Sequence, residues 1–202
     1  MVTVDLPCDD PSATFATYAD VVVSALAEEQ GDLVLVGHSL AGLTIPIAAE
    51  RLAVRRMVFV CALNDPGRSF VDQLETEPEM LLPTYNAGLS DPDEHGRRAW
   101  VDLDVAVDVL YDDCDVDLAR SAFNHLRPQA TRAPYGESCP LDRLPDVERS
   151  YVGCADDRLV NPAWTSQAVP ERLGIEPVEL PGGHSPFLSR PAALAHVLDE
   201  MS

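Results

Sequence analysis

Apolar positions along this chain fall into two alternating patterns: short continuous runs rich in Val and Leu, and longer stretches in which they recur every three or four residues. Bounded runs of the first kind predict strands, and the three-to-four spacing predicts helices with one buried face. Residues 2–6 are the first strand expectation, ended by Pro7. From Ser12 to about Glu29, Phe15, Tyr18, Val22 and Leu26 line one helical face, with Ser12 as N-cap and Gly31 as the stop. Residues 33–36 (LVLV) show no polar alternation, as in a strand covered on both sheet faces. Residues 40 to about 52 read as the following helix, with a kink expected at Pro46, and residues 57–63 as the next buried strand. Strand and helix steps in so short a span imply right-handed crossovers onto one mostly parallel sheet.

Between Asn64 and about Arg149 the pattern loosens, and Asp, Glu, Pro and Gly multiply. This region predicts an inserted, largely helical lid at residues 66–149 within a single domain spanning 1–202. Its clearest helix is 115–126, where Val116, Ala119, Phe123 and Leu126 share a face and Pro128 lies just beyond. The strand and helix alternation resumes at residues 151–154, then a helix capped by Asn161 with Pro162 in its first turn, a strand at about 176–180 and a closing helix from Pro191. The expected fold class is α/β: a mostly parallel sheet with flanking helices, its core split in sequence by the lid.

Composition narrows the function classes. With 202 residues, 46% of them hydrophobic, the chain can bury one sizeable core. A formal net charge of −20 makes attraction to nucleic-acid phosphates or anionic lipid unfavourable. All 14 basic residues are arginines, which bears on habitat and solubility rather than mechanism. No basic n-region opens the sequence, and no apolar run reaches the roughly 18 residues of a membrane span, so a cytoplasmic protein with no membrane partner is expected. The 5 cysteines, Cys8, Cys61, Cys114, Cys139 and Cys154, form no C-x-x-C pair and are expected to be reduced and mostly packing.

Candidate chemistry concentrates at three strand ends. Gly37-His38-Ser39-Leu40-Ala41-Gly42 follows the buried strand and opens a helix, the context of a nucleophile elbow, in which a strained turn lifts a serine hydroxyl above the sheet. Ala41 stands where G-x-S-x-G has its second glycine, a modest crowding; the plainer reading is an N-capping serine. A serine hydroxyl needs a base, and Pro181-Gly182-Gly183-His184-Ser185-Pro186 places a histidine in a glycine-rich loop after the last strand. An acid to orient the imidazole is offered by the loop after the preceding strand, where Asp156 and Asp157 are adjacent. Singly, His184 reads equally as a solvated loop histidine and either aspartate as a helix start. Together, the order Ser, Asp, His on successive strand ends points to acyl transfer.

On these residues the sequence resembles the α/β-hydrolase superfamily, in particular its small cofactor-free bacterial branch akin to plant methylesterases and hydroxynitrile lyases. The resemblance rests on residues 36–42 (VGHSLAG), 156–160 (DDRLV) and 182–188 (GGHSPFL) and runs along nearly the whole chain. It implies Ser39 as nucleophile, His184 as base and Asp157, in the D-x-[IL]-V register, as the acid rather than Asp156. The Leu40 backbone N–H is implied as an oxyanion donor. Members of the family ordinarily begin with further strands, and the loop after the third supplies a second oxyanion amide. Residues 2–6 look like the fourth strand, so roughly 30 to 40 residues at the amino end are expected to be absent. That would leave residues 33–36 on an exposed sheet edge, open to self-association.

The resulting expectation is a serine hydrolase of a small, fairly apolar ester or related acyl compound, a small-molecule substrate handled through an acyl-enzyme without metal or organic cofactor. Two alternatives share the scaffold: a non-catalytic binding protein lacking a complete oxyanion hole, and a hydroxynitrile-lyase-like enzyme. His38 is expected to pack the elbow turn. His95, His125 and His196 lack an acid and nucleophile around them, and the acidic run 112–117 lacks the glycine and terminal glutamate of a calcium loop. Trp100, Tyr111 and Phe123 are expected either to wall a substrate pocket or to pack the lid.

Overall fold

The computed structural model describes residues 1–29, 31–62, 65 and 67–201. Its main sheet has four parallel strands in the order β1-β2-β5-β6: β1 (Leu33–His38), β2 (Val54–Val60), β5 (Glu148–Cys154) and β6 (Val178–Leu180). Helix α1 (Phe15–Ala25) precedes β1, and α2 (Ile45–Ala49) links β1 to β2. Between β2 and β5 run α3 (Phe70–Thr76), β3 (Arg97–Arg98), α4 (Leu103–Leu110), α5 (Val116–Asn124), β4 (Gln129–Ala130) and α6 (Arg132–Gly136). Strands β3 and β4 pair antiparallel, a small ribbon that the sequence pattern did not announce. Helix α7 (Pro162–Leu173) joins β5 to β6, and α8 (Pro186–Ser189) and α9 (Pro191–Glu200) close the chain.

Strand alternation divides the core between two faces. Leu35, Met57, Phe59 and Tyr151 face α1, α2 and α7, where Phe15, Tyr18, Ile47, Trp164 and Val169 complete a buried cluster. Val58, Val60, Val152 and Leu180 face α9 through Leu194. This second face runs out of cover at β1, where Val36 is 47% exposed. A third, smaller cluster joins α4 and α5 through Val109, Leu110, Tyr111 and Ala119, with Leu159 and Leu188 packed against it. No described helix is long and apolar enough to cross a membrane.

Several expectations need correction. Residues 2–6 form no strand: no neighbouring strand offers them a ladder. They run over the core instead, with Val4 and Leu6 partly buried and the Arg127 guanidinium donating to Asp5 and to the Leu6 carbonyl. Ser12 does not cap α1. It turns back onto Asp10, and Thr14 takes the cap in a reciprocal capping box with Thr17. The expected helix at 40–52 is split into a 3-10 helix (Ser39–Leu43) and α2, so Pro46 lies in a first turn, where its missing N–H costs nothing, and makes no kink. The second buried strand starts earlier than expected, and its expected end, Leu63, lies outside the described residues, as do Asn64, the expected lid start Pro66 and the last residue, Ser202. The parallel α/β architecture and Asn161 capping α7 with Pro162 in the first turn are as read from sequence, while Asp115, at the start of the helix expected over 115–126, caps α5.

Candidate active site

Ser39 follows the last residue of β1 with φ +52°. A non-glycine residue held in this left-handed region costs on the order of 1–3 kcal/mol and persists only where its surroundings enforce it. Here the enforcement is close packing: a Cβ on Gly37 would lie 3.0 Å from both the Ala41 carbonyl oxygen and Ile45 Cγ2, so any side chain at that position would push on the turn. Ser39 is half-buried, and its hydroxyl makes no hydrogen bond among the described residues. Leu40 is the second residue of the 3-10 helix, where the first N–H groups have no intrahelical acceptor and stay available to an anion.

Asp157 and His184 meet. The His184 Nδ1 and Asp157 Oδ2 are 2.8 Å apart, with the two residues 2% and 4% exposed. The other carboxylate oxygen accepts the N–H groups of Leu159 at 2.8 Å and Val160 at 3.0 Å, which fixes the carboxylate plane. Asp156 turns elsewhere: its Oδ2 accepts the Gly182 N–H at 3.2 Å, tying the acid loop to the histidine loop. Gly182 there has φ +106°, and a Cβ on Gly182 or Gly183 would collide with the carboxylates of Asp113 and Asp112, the start of the acidic run. The inserted segment thus lies directly on the histidine loop.

Sequence reasoning missed two neighbours. His38 does more than pack the turn: its Nε2 lies 2.8 Å from the His184 carbonyl oxygen, and its ring stands between His184 and Phe187 at centroid distances of 4.6 and 4.9 Å. Burial, with His184 beside it, pulls its pKa down to about 3, so it stays neutral and donates that hydrogen bond. Cys61, expected to be a packing cysteine, stands immediately beyond β2 with φ +44°, and its Sγ, an Asp157 carboxylate oxygen and a His184 ring nitrogen lie within 4.8 Å of one another. No sequence pattern marks such a position.

The model of the "Alpha/beta hydrolase family" matches residues 1–197. The chain belongs to that family. Similar proteins include the alpha/beta hydrolase nvfD of Aspergillus novofumigatus, 26% identical over 96% of this chain and 80% of that protein. A pyrethroid hydrolase of Sphingobium wenxiniae is 29% identical over 92% of this chain and 69% of its own length. The crystal structure of polyneuridine aldehyde esterase superimposes with a TM-score of 0.77 at 19% identity, covering 95% of this chain and 81% of the other.

The other histidines of this hydrolase have different partners. His95 and His196 are exposed beside Glu94 and Glu200, and His125 Nδ1 bonds the Ser121 carbonyl within its own helix region. Tyr111 is buried in the cluster between α4 and α5, with Trp100 packed on it, so both pack the inserted segment. Along the acidic run, Asp115 caps α5, while Asp112 and Asp113 pair with Arg158 and Arg190 at 3.4 and 3.3 Å. Burial pushes the Asp112 carboxyl up from its ordinary range, with Arg158 opposing. A cleft of about 360 Å³ beside α4 and α5, bordered by Asp104, Asp108 and Arg120, touches neither Ser39 nor His184. All the cysteines are free thiols.

Proposed function

We propose that this hydrolase cleaves small, fairly apolar esters or related acyl compounds through an acyl-enzyme on Ser39. The observation that carries the reading is the buried 2.8 Å contact between His184 and Asp157 at the same sheet end as a serine held at φ +52°. Asp157 holds Nδ1 protonated, which leaves Nε2 as the base. Ser39 loses its proton to Nε2 as Oγ attacks the carbonyl carbon. The oxyanion forms toward the Leu40 N–H, His184 returns the proton to the departing alkoxide, and water then repeats the sequence to release the acid. The Ser39–His184 hydrogen bond forms as substrate docks, since such bonds are commonly loose before binding.

The segment from Gly67 to Val147 acts as the lid; its expected end at residue 149 is too late, because residues 148–149 already pair with β2 as the start of β5. Three contacts support this: the Leu82 N–H donates to the Leu159 carbonyl at 2.9 Å, the Asn161 N–H donates to the Met80 carbonyl at 3.0 Å, and Arg158 pairs with Asp108. The segment is thereby fastened to the acid loop. Two relatives named for hydrolysis of pyrethroids and as an aldehyde esterase support an ester substrate. The −20 charge favours a neutral small molecule over nucleic acid as partner.

The half-exposed Ser39, with one elbow amide as oxyanion donor, favours a second reading, a binding protein on the same scaffold. Rapid quenching after mixing with p-nitrophenyl butyrate, followed by intact mass and peptide mapping, separates them. The expected result is a butyryl adduct on Ser39 that S39A abolishes and H184A slows by about 1,000-fold or more. Unchanged turnover in S39A overturns the serine mechanism, and ester binding without any adduct supports the second reading.

A further inference from the structure

Cys61 breaks the alternation of its strand. Residues 57 and 59 face the α1 and α7 side while 58 and 60 face α9, so a regular continuation would send residue 61 to the first side. Its φ of +44° swings the side chain instead into the cluster of Val58, Val60, Val152 and Cys154, where it is 1% exposed. The conformation is enforced from both ends: the Cys61 N–H donates to the Val152 carbonyl at 2.8 Å, and the Tyr151 hydroxyl donates to the Ala62 carbonyl at 3.0 Å. Ser39 and Cys61 are the two described non-glycine residues with positive φ, and they end the adjacent strands β1 and β2. Backbone strain of this kind collects where a side chain has to be aimed.

We infer that Cys61 is a positioning residue whose thiol donates a further hydrogen bond to the Asp157 carboxylate and thereby tunes the His184 base. The assignment rests on the serine mechanism proposed above. The Cys154 sulfur, burial and the Asp157 charge together push the Cys61 thiol well up from the ordinary thiol range, so it is a donor at every working pH. Asp157 then receives the Leu159 and Val160 amides, the His184 imidazole and the thiol. Each donor spreads the carboxylate charge. Removing one leaves more charge facing the imidazole, which holds its proton to higher pH.

The titratable groups around this centre are Asp157 on the loop after β5, Cys61 beyond β2, His38 at the end of β1, and Tyr151 and Cys154 on β5. His38 stays neutral, and burial pushes the Tyr151 hydroxyl up, so it carries no charge near neutrality. The test compares C61A, C61S and C154A, because alanine and serine meet the same left-handed strain as cysteine and differ in the donor they keep.

Wild type is first labelled with a fluorophosphonate. Absence of a Ser39 adduct overturns the serine mechanism and the Cys61 assignment with it. With labelling established, C61A is expected to lower kcat/KM 3- to 10-fold and move the acidic limb of its pH profile up by about half a pH unit. C61S should recover most of the rate, and C154A should leave the limb in place. A C61A profile that keeps its wild-type shape, whatever its melting temperature, overturns the role of Cys61 alone. Should C61A fail to fold, the downfield proton resonance of the His184 Nδ1–H decides through C61S: a displaced resonance supports the contact, and an unmoved one rejects it.

Discussion

On one side of the candidate site, Asp157 and His184 are 4% and 2% exposed, joined at 2.8 Å and tied into backbone amides. On the other, Ser39 and Leu40 are half-buried at the end of β1, next to Val36 at 47% exposure. Asp157 follows the inner strand β5, but the enclosed His184 and the half-buried Ser39 both follow edge strands, since β1 and β6 end the four-stranded sheet. Strand position therefore does not explain the contrast. What differs is the cover: Asp112 and Asp113 press on Gly182 and Gly183, and Leu188 joins the α4 and α5 cluster, whereas no described strand pairs with the outer edge of β1. Enclosure of the histidine loop here comes from the segment between β2 and β5.

The sharpest way to break the contrast is within the enclosed half. Asp157→Asn favours the wrong imidazole tautomer and should lower kcat by up to about 10,000-fold, while Asp156→Asn, which keeps an oxygen to accept the Gly182 N–H, should cost less than about 10-fold. Steady-state kinetics with one p-nitrophenyl ester measures both, and the reverse ranking would assign the acid to Asp156.

The open half should be sensitive through packing. Gly37→Ala puts a methyl group 3.0 Å from a backbone oxygen and from Ile45 Cγ2, which should cost about 1–3 kcal/mol in urea unfolding and displace Ser39 as well. Unchanged stability together with unchanged probe labelling would show that the elbow relaxes freely.

His38 joins the halves, and its titration gives a pH signature. Its folded pKa of about 3 lies below the ordinary 6.5, so the unfolded chain binds the extra proton and stability falls as pH drops from about 6.5 toward 3. Between pH 6.5 and 5 the wild type should lose about 2 kcal/mol more than His38→Asn, as read from chemical denaturation. Equal slopes would mean that His38 accepts a proton in the folded state.

The fold was legible where local chemistry and tertiary context agree. LVLV, the Asp115 and Asn161 caps and Pro162 specify their elements without help from distant residues. Residues 2–6 misled because a β-branched run becomes a strand only beside another strand, and no described strand pairs with them. Pro46 misled because its meaning depends on whether a helix has already started. In the candidate site, the left-handed turn at Ser39 and the meeting of Asp157 with His184 were readable from motifs that carry their backbone geometry with them. Cys61 was unreadable, since its place beside Asp157 depends on a positive φ that no residue type at that position announces.

The smallest expected effect concerns the bare edge of β1. Charge repulsion at −20 holds copies apart at low salt, and screening shrinks its reach from about 10 Å at 0.1 M to about 3 Å at 1 M. Sedimentation should accordingly show weak self-association that grows with salt. A monomer at every salt concentration would mean that the edge is protected.

The account stands or falls on Ser39 as an activated nucleophile served by the Asp157 and His184 pair. Incubation with a fluorophosphonate followed by peptide mass mapping tests this most directly. The expected result is a single adduct on Ser39, lost in S39A and strongly slowed in H184A; an adduct on another serine, or undiminished labelling of S39A, would contradict it.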